Sequence, residues 1–265
     1  MIKIIFFDVD GTLISKERSY ISEKVLVALK QLKEQGIKLF IATGRHYLEL
    51  GLLGINEQFT FDGYLTLDGG YCFDHKGVIH SNPIDKEDVK RVVEYTTKHN
   101  LACSFVESDG LYVNLVNELV ENAQIFLNTP IPPVKDITRA IENDVYQIDP
   151  FVTAEEIKKI MALTKHCKYT QWYESGYDVI PKAGGKQDGI KAIIDHYGIK
   201  ISEVMAFGDG HNDIEMLSFV GTGVCMANGH DDSKKVSDFV TGSVYDDGIV
   251  TALEHYKLIE IKNDY

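Results

Sequence analysis

Four short polar runs stand where an apolar stretch stops or a helix begins. Asp8-Val9-Asp10-Gly11-Thr12 follows the apolar residues 2–7, and Thr43-Gly44-Arg45 follows residues 37–42. Lys186 opens an amphipathic stretch, and Gly208-Asp209-Gly210-His211-Asn212-Asp213 follows residues 204–207. Successive strand side chains point to opposite faces, so Asp8 and Asp10 share a face if the first strand persists through them. Like charges that close are costly unless a cation neutralises them or one holds a proton, and a hard divalent metal is the simplest remedy. A plain surface turn is the alternative on spacing alone, since Asp and Gly are common turn residues. A calcium-binding helix-loop-helix is excluded, because Gly11 follows Asp8 too closely for that loop.

Taken together, these runs suit phosphoryl transfer. Mg²⁺ takes oxygen ligands from a few carboxylates, water and substrate phosphate, a role that Asp8 and Asp209 fit. A carboxylate can attack phosphorus to give an aspartyl phosphate. The second of a carboxylate pair can protonate the leaving oxygen and then take a proton from water, a contribution of about 10²–10⁴-fold. A Lys ammonium and a Thr hydroxyl can stabilise charge on the phosphoryl oxygens.

The elements between the runs must bring them to one place. Residues 2–7 are β-branched and aromatic apart from Lys3, as in a strand covered on both faces. Ser22 reads as the N-cap of a helix to about residue 35, with Val25, Leu26, Leu29 and Leu32 as its apolar stripe and Gly36 as its stop. Strand, helix and strand form a βαβ unit, in which ligands bind beyond the carboxyl ends of the strands, so Thr43 belongs on the rim of Asp8 and Asp10. A third strand follows near 63–67, then Asp68-Gly69-Gly70 and a hairpin over 71–80. From about residue 83 the alternation is lost and mixed α+β material follows, broken by Pro130, Pro132 and Pro133. The first pattern resumes at Ala183-Gly184-Gly185-Lys186. The expected architecture is therefore α/β, a doubly wound parallel-sheet, Rossmann-like core of residues 1–82 plus 184–265 with an α+β domain inserted over 83–183.

Composition narrows the partners. With 27 Lys+Arg against 40 Asp+Glu, the net charge of −13 argues against non-specific binding to nucleic acid or to an anionic membrane. An anionic substrate then needs a metal or a few placed cations. Neither a membrane-span-sized apolar stretch nor a secretory leader is present, so a cytoplasmic location is expected. Cys72, Cys103, Cys167 and Cys225 lack any paired spacing and read as reduced packing residues. Oligomeric state is not legible in these residues.

The four runs, in this order, resemble the four motifs of the haloacid dehalogenase superfamily, and the long insert is similar to the cap of its Cof-type hydrolases. The resemblance spans essentially the whole chain. It implies Asp8 as nucleophile, Asp10 as acid/base, and Mg²⁺ on Asp8, the Asp10 main-chain carbonyl and Asp209. It further implies Thr43, Gly44, Lys186 and Asn212 around the phosphoryl group, with Asp213 supporting metal or lysine. Asp10 favours the phosphatases over the dehalogenase branch, which lacks that carboxylate. Two positions depart from the pattern: Asp68 stands where many relatives have Asn, and Gln187 follows Lys186 where Gly is usual. Arg45 is expected to reach substrate or bridge to the cap. His46 and His211 are expected to face solvent, and Trp172, Tyr173 and Arg139 are weighed as either pocket lining or packing. The resulting expectation is a Mg²⁺-dependent phosphatase of small phosphomonoesters such as sugar phosphates, with a cap that closes over the rim. A phosphomutase sharing the aspartyl phosphate and a non-catalytic phosphosugar sensor are the rivals. A receiver-type switch is a poorer fit, because its acceptor does not lie on the first strand.

Overall fold

The run at residues 2–7 becomes the strand Ile4–Phe7, buried at every position. Ile5 and Phe7 enter one apolar cluster while Ile4 and Phe6 enter another, the alternation expected of a strand covered on both sides. The computed structural model that shows this describes residues 1–127 and 129–260. Parallel neighbours Val204–Gly208 and Lys38–Ala42 flank this first strand. Parallel pairing continues outward through Thr222–Cys225 to Phe239–Val240 on one side and to Gly63–Thr66 on the other. Tyr71–Asp74, which pairs antiparallel with Gly63–Thr66, and then Gly77–Ser81 complete an eight-stranded sheet among the described residues.

Helices cover both faces. Glu23–Glu34 and Gly248–His255 bury Val25, Leu29, Ile249 and Leu253 with Ile5 and Phe7, whereas Lys186–Tyr197 buries Ile190, Ile193 and Ile194 with Ile4 and Phe6. Each such side chain contributes about 1.5–3 kcal/mol when fully buried. Ser22 caps the first helix, its hydroxyl accepting from Val25 N. This doubly wound arrangement puts the carboxyl ends of the strands Ile4–Phe7, Lys38–Ala42 and Val204–Gly208 on one rim.

The chain divides into two compact units, Met1–His80 with Gly185–Tyr265 and Ser81–Gly184. The second unit carries its own antiparallel five-stranded sheet, in the order Gly110–Val113, Ala102–Glu107, Val145–Phe151, Gly176–Pro181 and Cys167–Tyr173. Helices Lys86–His99 and Ala154–Leu163 pack Val89, Val92, Ile157 and Ile160 into its core.

Some expected elements differ. Within the insert, the strand Val145–Phe151 runs through Pro150, and its register with Ala102–Glu107 continues to Ala102↔Phe151. The third strand ends at Thr66, since Leu67 has turned into the left-handed region at φ 53°. The edge strand Phe239–Val240 and the one-turn helix Arg139–Glu142 are too short to leave a periodic signature. Cys72, Cys103, Cys167 and Cys225 are buried free thiols.

Candidate active site

At the end of the first strand the two carboxylates part company. Asp8 is buried, whereas Asp10 is exposed, so the shared face expected of a continuing strand is not formed. The cause is local: the chain leaves strand geometry after Phe7, and Gly11 N donates to Ile14 O while Leu13 N donates back to Val9 O. Asp8 turns inward to Lys186, whose Nζ donates to Asp8 Oδ1 at 2.6 Å and to Asp213 Oδ1 at 2.6 Å. All three side chains are buried. The other oxygen of Asp213 accepts from the backbone N–H groups of Asp209 and Gly210, both at 2.9 Å. Asp213 therefore anchors the lysine and shapes the loop that presents Asp209.

Asp209 is held in turn by Thr12, whose hydroxyl donates to its Oδ1 at 3.0 Å. Gly11, at φ +85°, passes so close that a Cβ there would lie 2.2 Å from Asp209 Oδ2. A side chain at position 11 would both strain the backbone and displace the carboxylate. The His230 backbone and the Asn228 side chain complete the cradle: His230 N donates to Asp209 O at 2.9 Å, and Asn228 Nδ2 to Gly11 O at 2.8 Å.

Oxygens of Asp8, Asp209 and Asp213 lie within 4.8 Å of one another. Three carboxylates face one ammonium, and the imbalance shows in their acidity. Burial raises Asp8 well above the ordinary carboxylate range, with the charges of Asp213, Asp209 and Asp10 adding to it against the pull of Lys186. Burial, and then Asp213, raise Asp209 to about 7. Lys186 is held in its charged form by Asp213, Asp8 and Asp68 in spite of its burial. An all-oxygen, over-acidic donor set of this kind fits a hard divalent cation, which would restore charge balance where the protein alone would have to bind protons.

The second strand end supplies Thr43 and Arg45. Thr43 is buried, and its Oγ1 accepts from Arg45 N at 3.1 Å, leaving the hydroxyl proton free to be donated. Arg45 turns to Asp10. Its guanidinium forms a fork on Asp10, Nε to Oδ2 at 2.6 Å and Nη2 to Oδ1 at 2.9 Å, with Glu49 3.6 Å from Nη1. An arginine four residues before a glutamate at a helix start finds its acids within this unit.

His46 also departs from expectation: it is buried, and its Nδ1 accepts from Leu48 N at 3.2 Å as the N-cap of Tyr47–Leu52. His211 is exposed as expected and lies against His230 with the rings tilted at 34°, centroids 4.0 Å apart. Asn212 Nδ2 donates to Asp68 Oδ1 at 3.0 Å. Within the insert, Arg139 is committed to structure, its guanidinium forked on Glu107 and set 5.0 Å over the Tyr112 ring. Trp172 and Tyr173 pack against the small cluster of Val120, Ala123 and Phe151.

Sequence reasoning therefore missed the supporting residues Thr12, Asn228 and His230. Thr12 was visible inside the first motif, and Asn228-Gly229 just beyond the strand Thr222–Cys225 is a turn signal at a strand end.

The sequence profile of the haloacid dehalogenase-like hydrolases matches residues 5–253. The solved HAD subclass IIB sugar phosphatase BT4131 is 38% identical, with a TM-score of 0.84 over 97% of this chain and 100% of that one. BT1666 of Bacteroides thetaiotaomicron, analysed among the phosphatases of the superfamily, is 34% identical, with a TM-score of 0.88 over 98% and 96%. The 5-amino-6-(5-phospho-D-ribitylamino)uracil phosphatase YitU of Bacillus subtilis is 28% identical over 266 residues, 96% of this chain and 97% of its own. The chain belongs to the haloacid dehalogenase-like hydrolases. Within them it is an enzyme of the Cof-type phosphatases, a group that in general uses a divalent metal. No helix among the described residues is long and apolar enough to cross a membrane.

Proposed function

We propose that this enzyme is a Mg²⁺-dependent phosphatase that hydrolyses small phosphomonoesters, sugar phosphates foremost, through an aspartyl phosphate on Asp8. The observation that carries the reading is the buried chain Asp8–Lys186–Asp213, which fixes one Asp8 oxygen on an ammonium and leaves the other for attack. Residues 1–82 plus 184–265 form the catalytic core, and 83–183 form the cap that selects the leaving group.

Asp8, the Asp10 main-chain carbonyl and Asp209 would hold Mg²⁺. When bound, the ion neutralises the carboxylates and draws charge from the phosphoryl oxygens. Asp8 attacks phosphorus, and the ester P–O bond breaks as Asp10 gives its proton to the departing alkoxide. Asp10, now a carboxylate, takes a proton from water as that water attacks the acyl phosphate, releasing phosphate and restoring both residues. Thr43, Gly44, Lys186 and Asn212 hold the phosphoryl oxygens through both steps, and Asp213 keeps Lys186 in place. Arg45 supports Asp10 from the side.

A sugar-phosphate leaving group is supported by BT4131, which is a sugar phosphatase, and by YitU, whose substrate carries a phosphoribityl group. The net charge of −13 is consistent with a small soluble substrate in the cytoplasm rather than a nucleic acid or a membrane. The test is inorganic phosphate release from a panel of phosphorylated metabolites, with Mg²⁺ or EDTA, by wild type and Asp8→Asn. Release by wild type in Mg²⁺ alone, absent with Asp8→Asn, is the expected result. Isomerised sugar phosphate without phosphate release would point to a mutase instead.

A further inference from the structure

The turn after the third strand is built at a conformational cost. Leu67, Asp68 and Gly69 are all left-handed, at φ 53°, 49° and 88°. Two consecutive non-glycine residues in that region are strained and persist only where the surroundings enforce them. The surroundings here are the phosphate-side loop and the start of the lysine helix. Leu67 N donates to Arg45 O at 3.3 Å and Asp68 N to Thr43 O at 3.1 Å. A Cβ on Gly69 would lie 2.3 Å from Gly185 O, so the turn is wedged against the residue before Lys186.

The wedge delivers one side chain. Asp68 is buried, 6% exposed, although it is a carboxylate in a turn. Its Oδ2 lies 3.2 Å from where a Cβ on Gly44 would be, and its charge is one of the three that hold Lys186 protonated. Its Oδ1 accepts from Asn212 Nδ2 at 3.0 Å.

We propose that Asp68 is a positioning residue for phosphoryl binding, acting through Asn212. The inference rests on the reading that Asn212 holds the phosphoryl group. A carboxylate accepts and does not donate, so only the NH₂ end of the Asn212 amide can face it, and the amide is locked in one of its two orientations. One amide N–H is used on Asp68, and the other is presented to a phosphoryl oxygen from a fixed direction. An asparagine at position 68 presents both a donor and an acceptor and leaves that choice open. The Asp68 carboxylate thus exchanges some electrostatic attraction for phosphate against a preset donor.

Two variants separate the acceptor from the charge. Asp68→Asn keeps an acceptor and a residue tolerant of left-handed geometry while removing the charge; Asp68→Gly removes acceptor and charge without adding backbone strain. The readouts are the Ki of inorganic phosphate as a competitive inhibitor and the kcat–KM split, in wild-type and Asn212→Ala backgrounds. Asp68→Gly should raise Ki and KM by about five- to tenfold, the size of one hydrogen bond. Asp68→Asn should raise them by less than Asp68→Gly, because it keeps an acceptor for Asn212 but leaves the amide orientation open, and Asp68→Gly should add less than about twofold in the Asn212→Ala background, where its target is gone. Equal effects of the two substitutions, or a full Asp68→Gly effect without Asn212, would overturn the proposal. Absence of phosphate release by the wild type would instead overturn the phosphatase reading on which it rests.

Discussion

Arg45 and Asp10 form a two-point ion pair, both guanidinium contacts lying within 2.9 Å. The geometry fixes the plane of a carboxylate that is otherwise half exposed at the mouth of the site. Arginine does this where lysine does not, because its rigid fork matches both carboxylate oxygens at once.

The guanidinium favours the Asp10 carboxylate by charge but fixes its direction, so Arg45→Ala should lose rate through that lost orientation where a proton must be delivered. For an alkyl phosphate, kcat should fall by about ten- to hundredfold, part of the full acid/base contribution. For a nitrophenyl phosphate, whose leaving group departs without a proton, the first step should be little affected. Arg45→Lys should lie between. Comparing kcat/KM across leaving groups checks this, and a uniform loss across all of them would mean that Arg45 acts on binding instead.

Lys186 is a buried cation held between the buried carboxylates of Asp8 and Asp213. Lys186→Met should abolish turnover and lower stability by about 3–5 kcal/mol, because Asp8 and Asp213 would remain buried without their partner. Urea denaturation measures the effect. The deficit should shrink in acid, where the orphaned carboxylates take up protons.

The acidity of the site also makes metal binding and stability depend on pH together. Asp209 is raised to about 7 by burial and then by Asp213, and Asp8 is raised by burial first. A carboxyl group whose folded pKa is raised binds its proton more tightly in the folded state. Its stabilisation is fully present below the unfolded value of about 4 and is lost as pH rises through the folded value. In EDTA, the melting temperature should fall from about pH 4 to about pH 7 through these groups. Added Mg²⁺ should raise it more at about pH 8 than at about pH 5, because the carboxylates must be ionised to bind the ion. Equal metal stabilisation at both pH values would contradict this.

Much of the architecture was legible because strand ends carry the chemistry. The apolar runs at 2–7, 37–42 and 204–207 each stopped at a polar turn, and the βαβ rule then placed Asp8, Thr43 and Asp209 on one rim. The directions of individual side chains were not legible, because they depend on a few bonds made after the strand ends. Asp10 leaves the shared face because residues 9–14 close a turn, and it finds Arg45 from another strand end. His46 looked like a solvent residue beside a motif, yet it is buried as a helix cap, its Nδ1 accepting from Leu48 N and its own N–H donating to Glu49 Oε2. Asp68 was visible only as a departure from a family pattern. Its strained backbone and its reach to Asn212 arise from packing between segments far apart in sequence.

In the proposed cycle Asp8 becomes phosphorylated, and Asp10 then activates the water that removes the phosphoryl group. The most direct measurement is a rapid acid quench of Asp10→Asn reacting with nitrophenyl phosphate in Mg²⁺, followed by peptide mass analysis. Asp10→Asn should form the intermediate with this leaving group and be slow to hydrolyse it, so a phosphoryl group should accumulate on the peptide containing Asp8. Steady release of phosphate with an unmodified Asp8, or a phosphoryl group on any other residue, would contradict the account.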